Sequence, residues 1–335
     1  MTRRRALVLA LYAAIAVLFV WSLIAIVLTG PVLVRKPPEL EEEFLSTVSP
    51  ERLRRDVEHL AVGLSPRDAR HGENLDRAAD WIADEFRRAG LAVELQDYDL
   101  PEGRFRNVVG FRFGLEQGEP VRVLGAHYDA WGEGPAADDN ASGVAVLLEL
   151  VRTMPVMRPR RSQYFVAFGT EEPPFFATPS MGSHVFARSL RERGVEVDLM
   201  AALDLVGYYT DEPRSQRFPF VGMGLLYPRV GNFVAVVGDL SSGSILQRMR
   251  LAMAQTTDLD VRTFRGPRRM AGAMWSDHWS FRQLGYPGVL VTDTAFLRYP
   301  WYHTEQDTPD RLDYERMAEL VRGLHAVVLD RDVAD

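Results

Sequence analysis

Val121-Arg122-Val123-Leu124-Gly125-Ala126-His127-Tyr128-Asp129, followed by Ala137-Asp138-Asp139-Asn140-Ala141-Ser142-Gly143, decides how this chain folds. The first segment is a short, mostly apolar run over 121–126 that reads as a strand ending at a histidine. The second opens on a polar cluster and continues as a helical pattern over 141–154. A strand that ends on a histidine is thus followed by a helix that starts on carboxylates.

The same alternation recurs outward from these segments. Ser49-Pro50-Glu51 has the form of a helix start, with Ser as cap and Pro in the first turn. Residues 74–89 place Leu75, Ala78, Ala79, Ile82 and Phe86 at helical spacing, and Gly90 closes that helix. Residues 91–100 alternate as a strand; 164–168, 199–205 and 288–291 read as further strands. Helical patterns cover 241–254, 277–284 and 314–329. Several strands are apolar throughout, so both faces of the sheet must be covered. The expected fold is α/β, a single domain with a mixed, largely parallel central sheet flanked by helices. In open sheets of this kind ligands collect beyond the carboxyl ends of the strands. His127, Glu171, Glu172 and Asp204 all fall at or near such ends.

Five possible metal ligands therefore stand in order along the chain: His127, Asp139, Glu172, Asp204 and His303. Two His and three carboxylates suit two zinc ions that share one bridging carboxylate. Glu171, next to the third ligand, is placed to act as general base. Each motif alone is ambiguous. In His127-Tyr128-Asp129, Asp129 can orient the imidazole from behind, or the tripeptide is a surface His beside a chance Asp. Asp138 and Asp139 also read as ordinary capping carboxylates. Gly169-Thr170-Glu171-Glu172 reads either as a charged site or as a solvated loop, although the apolar Pro173-Pro174-Phe175-Phe176 favours a packed one. Asp204 sits in an apolar strand, where a metal or a hydrogen-bonded structural role must compensate its burial. Asp277 and His278 form another polar cluster, and His278 is a rival ligand.

The totals narrow the function further. A chain of 335 residues allows one large domain or two small ones. A net charge of −7 argues against a nucleic-acid partner held by phosphate contacts. Lys36 is the only Lys among many Arg, which we read as the codon bias of a GC-rich, bacterial genome. Cysteine is absent, so any zinc site must use His and carboxylates. Residues 6–28 are uncharged and almost wholly apolar; as a helix they span roughly 35 Å, enough for a bilayer. Arg3, Arg4 and Arg5 ahead of them favour a cytoplasmic N-terminus. The expectation is a cytoplasmic tip at 1–5, an uncleaved signal anchor at 6–29, a Pro- and Glu-containing stalk at 30–48, and an extracytoplasmic domain at 49–335. A cleaved signal peptide is the competing reading.

With these residues in place, the chain resembles the di-zinc aminopeptidases of metallopeptidase family twenty-eight. That family also contains glutamate carboxypeptidase-like enzymes and glutaminyl cyclases. The resemblance runs over about 49–329. It implies a zinc aminopeptidase-like (phosphorylase/hydrolase-like) fold and a peptide substrate. His127 and Asp204 are implied to bind one zinc, Glu172 and His303 the other, and Asp139 both. Glu171 is implied as the base that takes a proton from water and returns it to the leaving amine, with Asp129 supporting His127. Asp277 and His278 match a motif near the site that does not bind zinc. Glutaminyl cyclase and carboxypeptidase chemistry are the enzymatic rivals; Arg265, Arg268 and Arg269 are available to the latter. A non-catalytic binding ectodomain is the third alternative. The oligomeric state and residue specificity are not set by these motifs, and specificity loops include 208–231.

Overall fold

The computed structural model describes residues 45–329 apart from 117, 155–157, 221, 269, 271 and 273, together with Tyr12, Ile15 and Val17. The expected anchor at 6–29 and most of the stalk therefore lie outside the described residues, save for those three, which are helical and exposed. Among the described residues no helix is long and apolar enough to cross a membrane.

The strands are β1 (Ala92–Leu100), β2 (Gly103–Arg112), β3 (Val121–His127), β4 (Gln163–Phe168), β5 (Val197–Leu203), β6 (Phe233–Asp239), β7 (Asp260–Gly266) and β8 (Gly288–Thr292). They form one sheet in the order β1-β2-β4-β3-β5-β8-β6-β7. The centre, β4-β3-β5-β8, is parallel, as is β6 with β7; β1-β2, β2-β4 and β6-β8 are antiparallel. The mixed, largely parallel sheet expected from the apolar runs is present.

The helices are α1 (Pro50–Glu58), α2 (Gly72–Arg88), α3 (Gly143–Arg152), α4 (Gly182–Glu192), α5 (Gly243–Met253), α6 (His278–Gln283) and α7 (Tyr314–Val328). Ser49 caps α1 as its sequence predicts, its hydroxyl accepting from the Arg52 N–H at 3.2 Å. Gly90 ends α2 at φ +85°, where a side chain would be strained.

Period-two alternation sorts the sheet into two cores. Leu199, Ala201 and Leu203 of β5 and Val234 and Val236 of β6 face α1, α2, α3, α5 and α7. Met200 and Ala202, with Phe233, Ala235 and Val237, face the opposite side with α4 and α6. On that second side α6 touches β5 and β8. Beyond it, β6 and β7 are roofed by chain outside the long helices, including residues 216–219, Met223 and Tyr227, and a cavity remains underneath.

The strand expected over 199–205 ends at Leu203, and Asp204 follows it, although its N–H still reaches Val291 of β8 at 3.1 Å. The helix expected over 141–154 begins at Gly143. Residues Ala137–Ser142 form a separate turn ahead of it. Neither Asp138 nor Asp139 caps the helix; Asn140 does, its side-chain oxygen accepting from Gly143 N–H at 3.0 Å. A Cβ at Gly143 would lie 2.5 Å from the Leu203 carbonyl and 2.3 Å from the Asn140 side-chain oxygen. Glycine here lets the helix start against the end of β5, which frees the two aspartates to reach over the sheet.

Candidate active site

Three neighbouring parallel strands deliver most of the site. His127 is the last residue of β3, Glu171 and Glu172 follow β4, and Asp204 follows β5. Strands about 4.8 Å apart bring side chains from their ends within one cluster. Asp139 enters from the turn before α3, and His303 from the loop after β8.

Asp139 lies between two donor sets. Its Oδ1 is 3.4 Å from His127 Nε2, which is in turn 3.4 Å from Asp204 Oδ1. Its Oδ2 is 3.0 Å from His303 Nε2, which is 3.4 Å from Glu172 Oε1. His127, Asp139 and Asp204 form one group able to hold an ion; Asp139, Glu172 and His303 form another. Donors bound about 2.0–2.1 Å from a tetrahedral ion stand roughly 3.3 Å from one another. The observed separations match that edge. His127 Nε2, Glu172 Oε1 and Asp204 Oδ1 are buried and make no hydrogen bond. Buried polar atoms without partners are costly unless something binds them. The donor chemistry, nitrogen and carboxylate without thiolate, fits zinc.

The electrostatics point the same way. Burial raises Glu171 well above the usual carboxylate range, and the neighbouring Glu172, Asp204 and Asp277 add to it against the opposing pull of His127. Burial and the charge of Asp139 push Glu172 up to about 7. Burial would lower His303, yet Asp139 and Glu172 lift it to about 10. Without cations the pocket holds too much negative charge and gathers protons instead.

Glu171 Oε2 stands 3.9 Å from His127 Nε2; it lies outside the two groups that share Asp139 and forms a third possible donor group with His127 and Glu172. Asp129 does more than the tripeptide alone shows. His127 Nδ1 lies 3.2 Å from the Asp129 main-chain oxygen and 3.3 Å from its carboxylate. The same carboxylate accepts from Glu171 N–H at 2.9 Å and Glu172 N–H at 3.0 Å. One side chain thus fixes the histidine and the backbone of both glutamates.

Asp277 is fully buried, and burial followed by the opposing charge of His127 leaves it near 7. His278 opens α6, is fully buried, and belongs to none of the donor groups. The structure therefore does not bring the rival ligand into the cluster.

Asp307 has a role that no motif assigned to it. Its Oδ1 accepts from Asp138 N–H at 2.8 Å and from the Tyr299 hydroxyl at 2.7 Å, and its Oδ2 from Asp139 N–H at 3.1 Å. Arg67, also fully buried, donates to the carbonyls of Leu60, Tyr128, Pro135 and Ala136. It ties the loop behind His127 to the turn that carries Asp139. His303 takes φ +56° and stacks between Tyr302 and Trp131, at centroid distances of 3.8 and 5.4 Å. The spacing of His303 and Asp307 in one loop was visible in the sequence; which backbone amides Asp307 would meet was not.

Comparison with known proteins then fixes the family. The family model described as peptidase family M28 matches residues 107–328. The chain belongs to peptidase family M28. It is by family a zinc metallopeptidase. This M28 chain is 40% identical over 284 residues to the uncharacterized protein YfbL of Escherichia coli K12, covering 82% of this chain and 86% of that one. Its fold is shared with BSAP, a zinc aminopeptidase from Bacillus subtilis, at TM-score 0.66 and 16% identity, over 86% of this chain and 97% of that chain. It is shared also with the glutaminyl cyclase of Fimbriiglobus ruber, at TM-score 0.61 and 18% identity, over 84% of this chain and 95% of that chain.

Proposed function

We propose that this M28 chain is a membrane-anchored di-zinc exopeptidase that removes N-terminal residues from peptides. The observation that carries the reading is Asp139, whose two oxygens face separate donor sets. His127, Asp139 and Asp204 would hold one zinc, and Asp139, Glu172 and His303 the other. Bound there, zinc supplies Lewis-acid polarisation of the scissile carbonyl and lowers the pKa of water. Glu171 takes the proton from the attacking water and passes it to the leaving amine. Asp129 holds Glu171 and Glu172 in place through their backbone amides, and Asp307 does the same for Asp138 and Asp139.

The anchor at 6–29, the stalk at 30–48 and an extracytoplasmic peptidase domain at 49–335 belong to this proposal and rest on the apolar run and its flanking arginines. Glutaminyl cyclase chemistry is the second reading, because a cyclase shares the fold. Acidic carboxypeptidase chemistry is the third reading, for which Arg217 and Arg262 line the cavity beside the site. Arg268 is paired with Asp239 at 2.7 Å, and neither Arg265 nor Arg268 lines the cavity beside the site; Arg269 lies outside the described residues.

The test is to incubate the zinc-loaded full chain with a mixed peptide set and read the products by mass spectrometry. Peptides shortened from the N-terminus support the aminopeptidase. Loss of ammonia from N-terminal Gln replaces it with a cyclase, shortening from the C-terminus with a carboxypeptidase. Absence of any product from a zinc-loaded protein refutes the peptidase reading for that set.

A further inference from the structure

The chain around the mouth of the cavity differs in composition from the rest of the molecule. Three segments meet there: 213–230, which forms the roof; 270–276, which leads into α6; and 294–304, the loop that carries His303. Arg217, Phe218, Met223, Trp275 and Phe296 from these segments all line the cavity. The segments are also tied to one another. Arg217 N–H donates to the Leu297 carbonyl at 2.9 Å, and the Gln216 side chain donates to Thr294 Oγ1 at 2.9 Å. The Trp275 and Phe296 rings lie 5.7 Å apart. They therefore form one surface. The chain has 46 acidic residues and a net charge of −7, yet none of the 46 falls in these segments, and their charged residues are all arginines.

This surface is apolar at its tips. Residues 218–228 carry no charge, and the short turn Met223–Leu225 within them has no buried residue. Leu225 is exposed by 79% and Phe220 by 54%; across the mouth Trp275 and Phe296 are exposed by 47% and 37%. Large apolar side chains gathered on an exposed face mark an interaction site. Beside these tips stand Arg214, Arg217 and Arg229, all exposed. Arg229 donates to the Gly224 carbonyl at 3.2 Å, and none of the three makes an ion pair among the described residues. Apolar and aromatic tips flanked by uncommitted arginines suit a bilayer interface, where the tips sink below the headgroups and the guanidinium groups meet phosphate. At the opposite end of the sheet, beyond the amino ends of β3, β4 and β5, Leu115 is exposed as well. There, however, Arg160 and Arg161 are paired with Glu116 and Asp198, at 2.9 and 2.6 Å.

We propose that this face rests on an anionic bilayer surface, with Phe220 and Leu225 below the headgroups and Arg214, Arg217 and Arg229 on lipid phosphates, so that the mouth of the cavity opens onto the membrane. The inference rests on the anchor read at 6–29 and not on the hydrolytic centre. Between that anchor and Leu45 lie residues 30–44, whose full extension is about 50 Å. A domain of this size has a radius of gyration of about 19 Å and is roughly 50 Å across. The tether therefore lets any face reach the bilayer, and the chemistry of the surface decides which one does.

The test uses the full chain in nanodiscs of phosphatidylcholine, with and without phosphatidylglycerol. The chain has no cysteine, so a single introduced cysteine takes a fluorescent label at one place only. Leu225→Cys and Phe220→Cys report on the mouth face, and Leu115→Cys on the opposite end. In anionic discs the first two labels should be quenched by lipids that carry a nitroxide high in the acyl chain and be shielded from iodide; the third should be neither. The two tips report independently, so misfolding of one variant leaves the other decisive. Adding Arg217→Gln or Arg229→Gln should lower the ratio of docked to undocked chains about fivefold, the effect of one charge at an anionic surface. Docking that ignores both lipid charge and these substitutions overturns the assignment to an anionic surface. A chain held in the discs with all three labels open to iodide overturns the inference and leaves the anchor standing. Lipid quenching at Leu115→Cys alone overturns it in favour of the opposite end. Shielding from iodide without lipid quenching overturns it in favour of a second copy of the chain or another protein. A chain that does not enter the discs refutes the anchor and this inference together.

Discussion

Replacing Asp129 by Asn tests whether one carboxylate organises three site residues at once. In the native site its oxygens accept from Glu171 N–H at 3.1 and 2.9 Å and from Glu172 N–H at 3.0 Å, and lie 3.3 Å from His127 Nδ1. Asn keeps the shape but swaps one acceptor for an NH₂ donor. If the amide oxygen stays on the glutamate amides, its NH₂ faces His127 Nδ1. That contact favours the tautomer with its proton on Nε2, the atom needed for metal. If the amide turns over, a buried backbone N–H loses its acceptor, at a cost of about 1–3 kcal/mol. Either way zinc affinity should fall about 10- to 100-fold, the usual effect of losing a group behind a ligand. That corresponds to about 1.4–2.7 kcal/mol. Zinc competition against a chromophoric chelator measures the affinity, and thermal unfolding of the metal-free protein measures the stability term. A variant with unchanged zinc affinity, unchanged stability and full turnover would show that Asp129 organises nothing.

Further expectations follow from other parts of the fold. Asp139→Asn removes a charge that both donor sets use, so zinc content should fall below one ion per chain; undiminished occupancy by elemental analysis would rule out the shared role. His325 is fully buried and burial holds its imidazole down to about 3. Its Nε2 lies 2.9 Å from Thr153 Oγ1, whose proton is given to the Glu149 carbonyl, so the ring donates there. The folded value lies below the unfolded one of about 6.5, so the unfolded chain takes the proton first. This group's contribution is complete above pH 6.5 and declines by about 1.4 kcal/mol per pH unit as pH falls from there toward 3. Urea unfolding between pH 7.5 and 4.5 should therefore show a shallower loss in His325→Gln than in the wild type, and equal slopes would sink the assignment.

The parts of the fold legible in the sequence were those with strong local periodicity. In α2 the residues Leu75, Ala78, Ala79, Ile82 and Phe86, spaced for one helical face, are all buried. The run ending at His127 is a fully buried strand at the sheet centre. Elements on the margins were harder to read. In β7, Asp260–Gly266 carries Arg262 and Arg265 among its apolar residues because it is an edge strand with one partner. The antiparallel β2 begins with Gly103-Arg104-Phe105-Arg106, whose charges pair with Asp97 of β1. The residues of the two donor groups that share Asp139 were legible because their motifs are local. Asp307 and Arg67 were not, because their roles are contacts across the chain; Asp307 meets amides 168 and 169 positions away. The cavity was equally hidden, since it depends on which face of β6 lacks a helix.

The central claim is that Glu171 moves protons beside a site holding two zinc ions without itself being needed to hold them. The most direct measurement combines elemental analysis and peptide turnover on the wild type and Glu171→Gln. The account predicts two zinc ions per chain in both proteins, and turnover lower in the variant by a factor on the order of 10²–10⁴. Turnover retained at the wild-type level, or zinc lost from the variant along with activity, would contradict it.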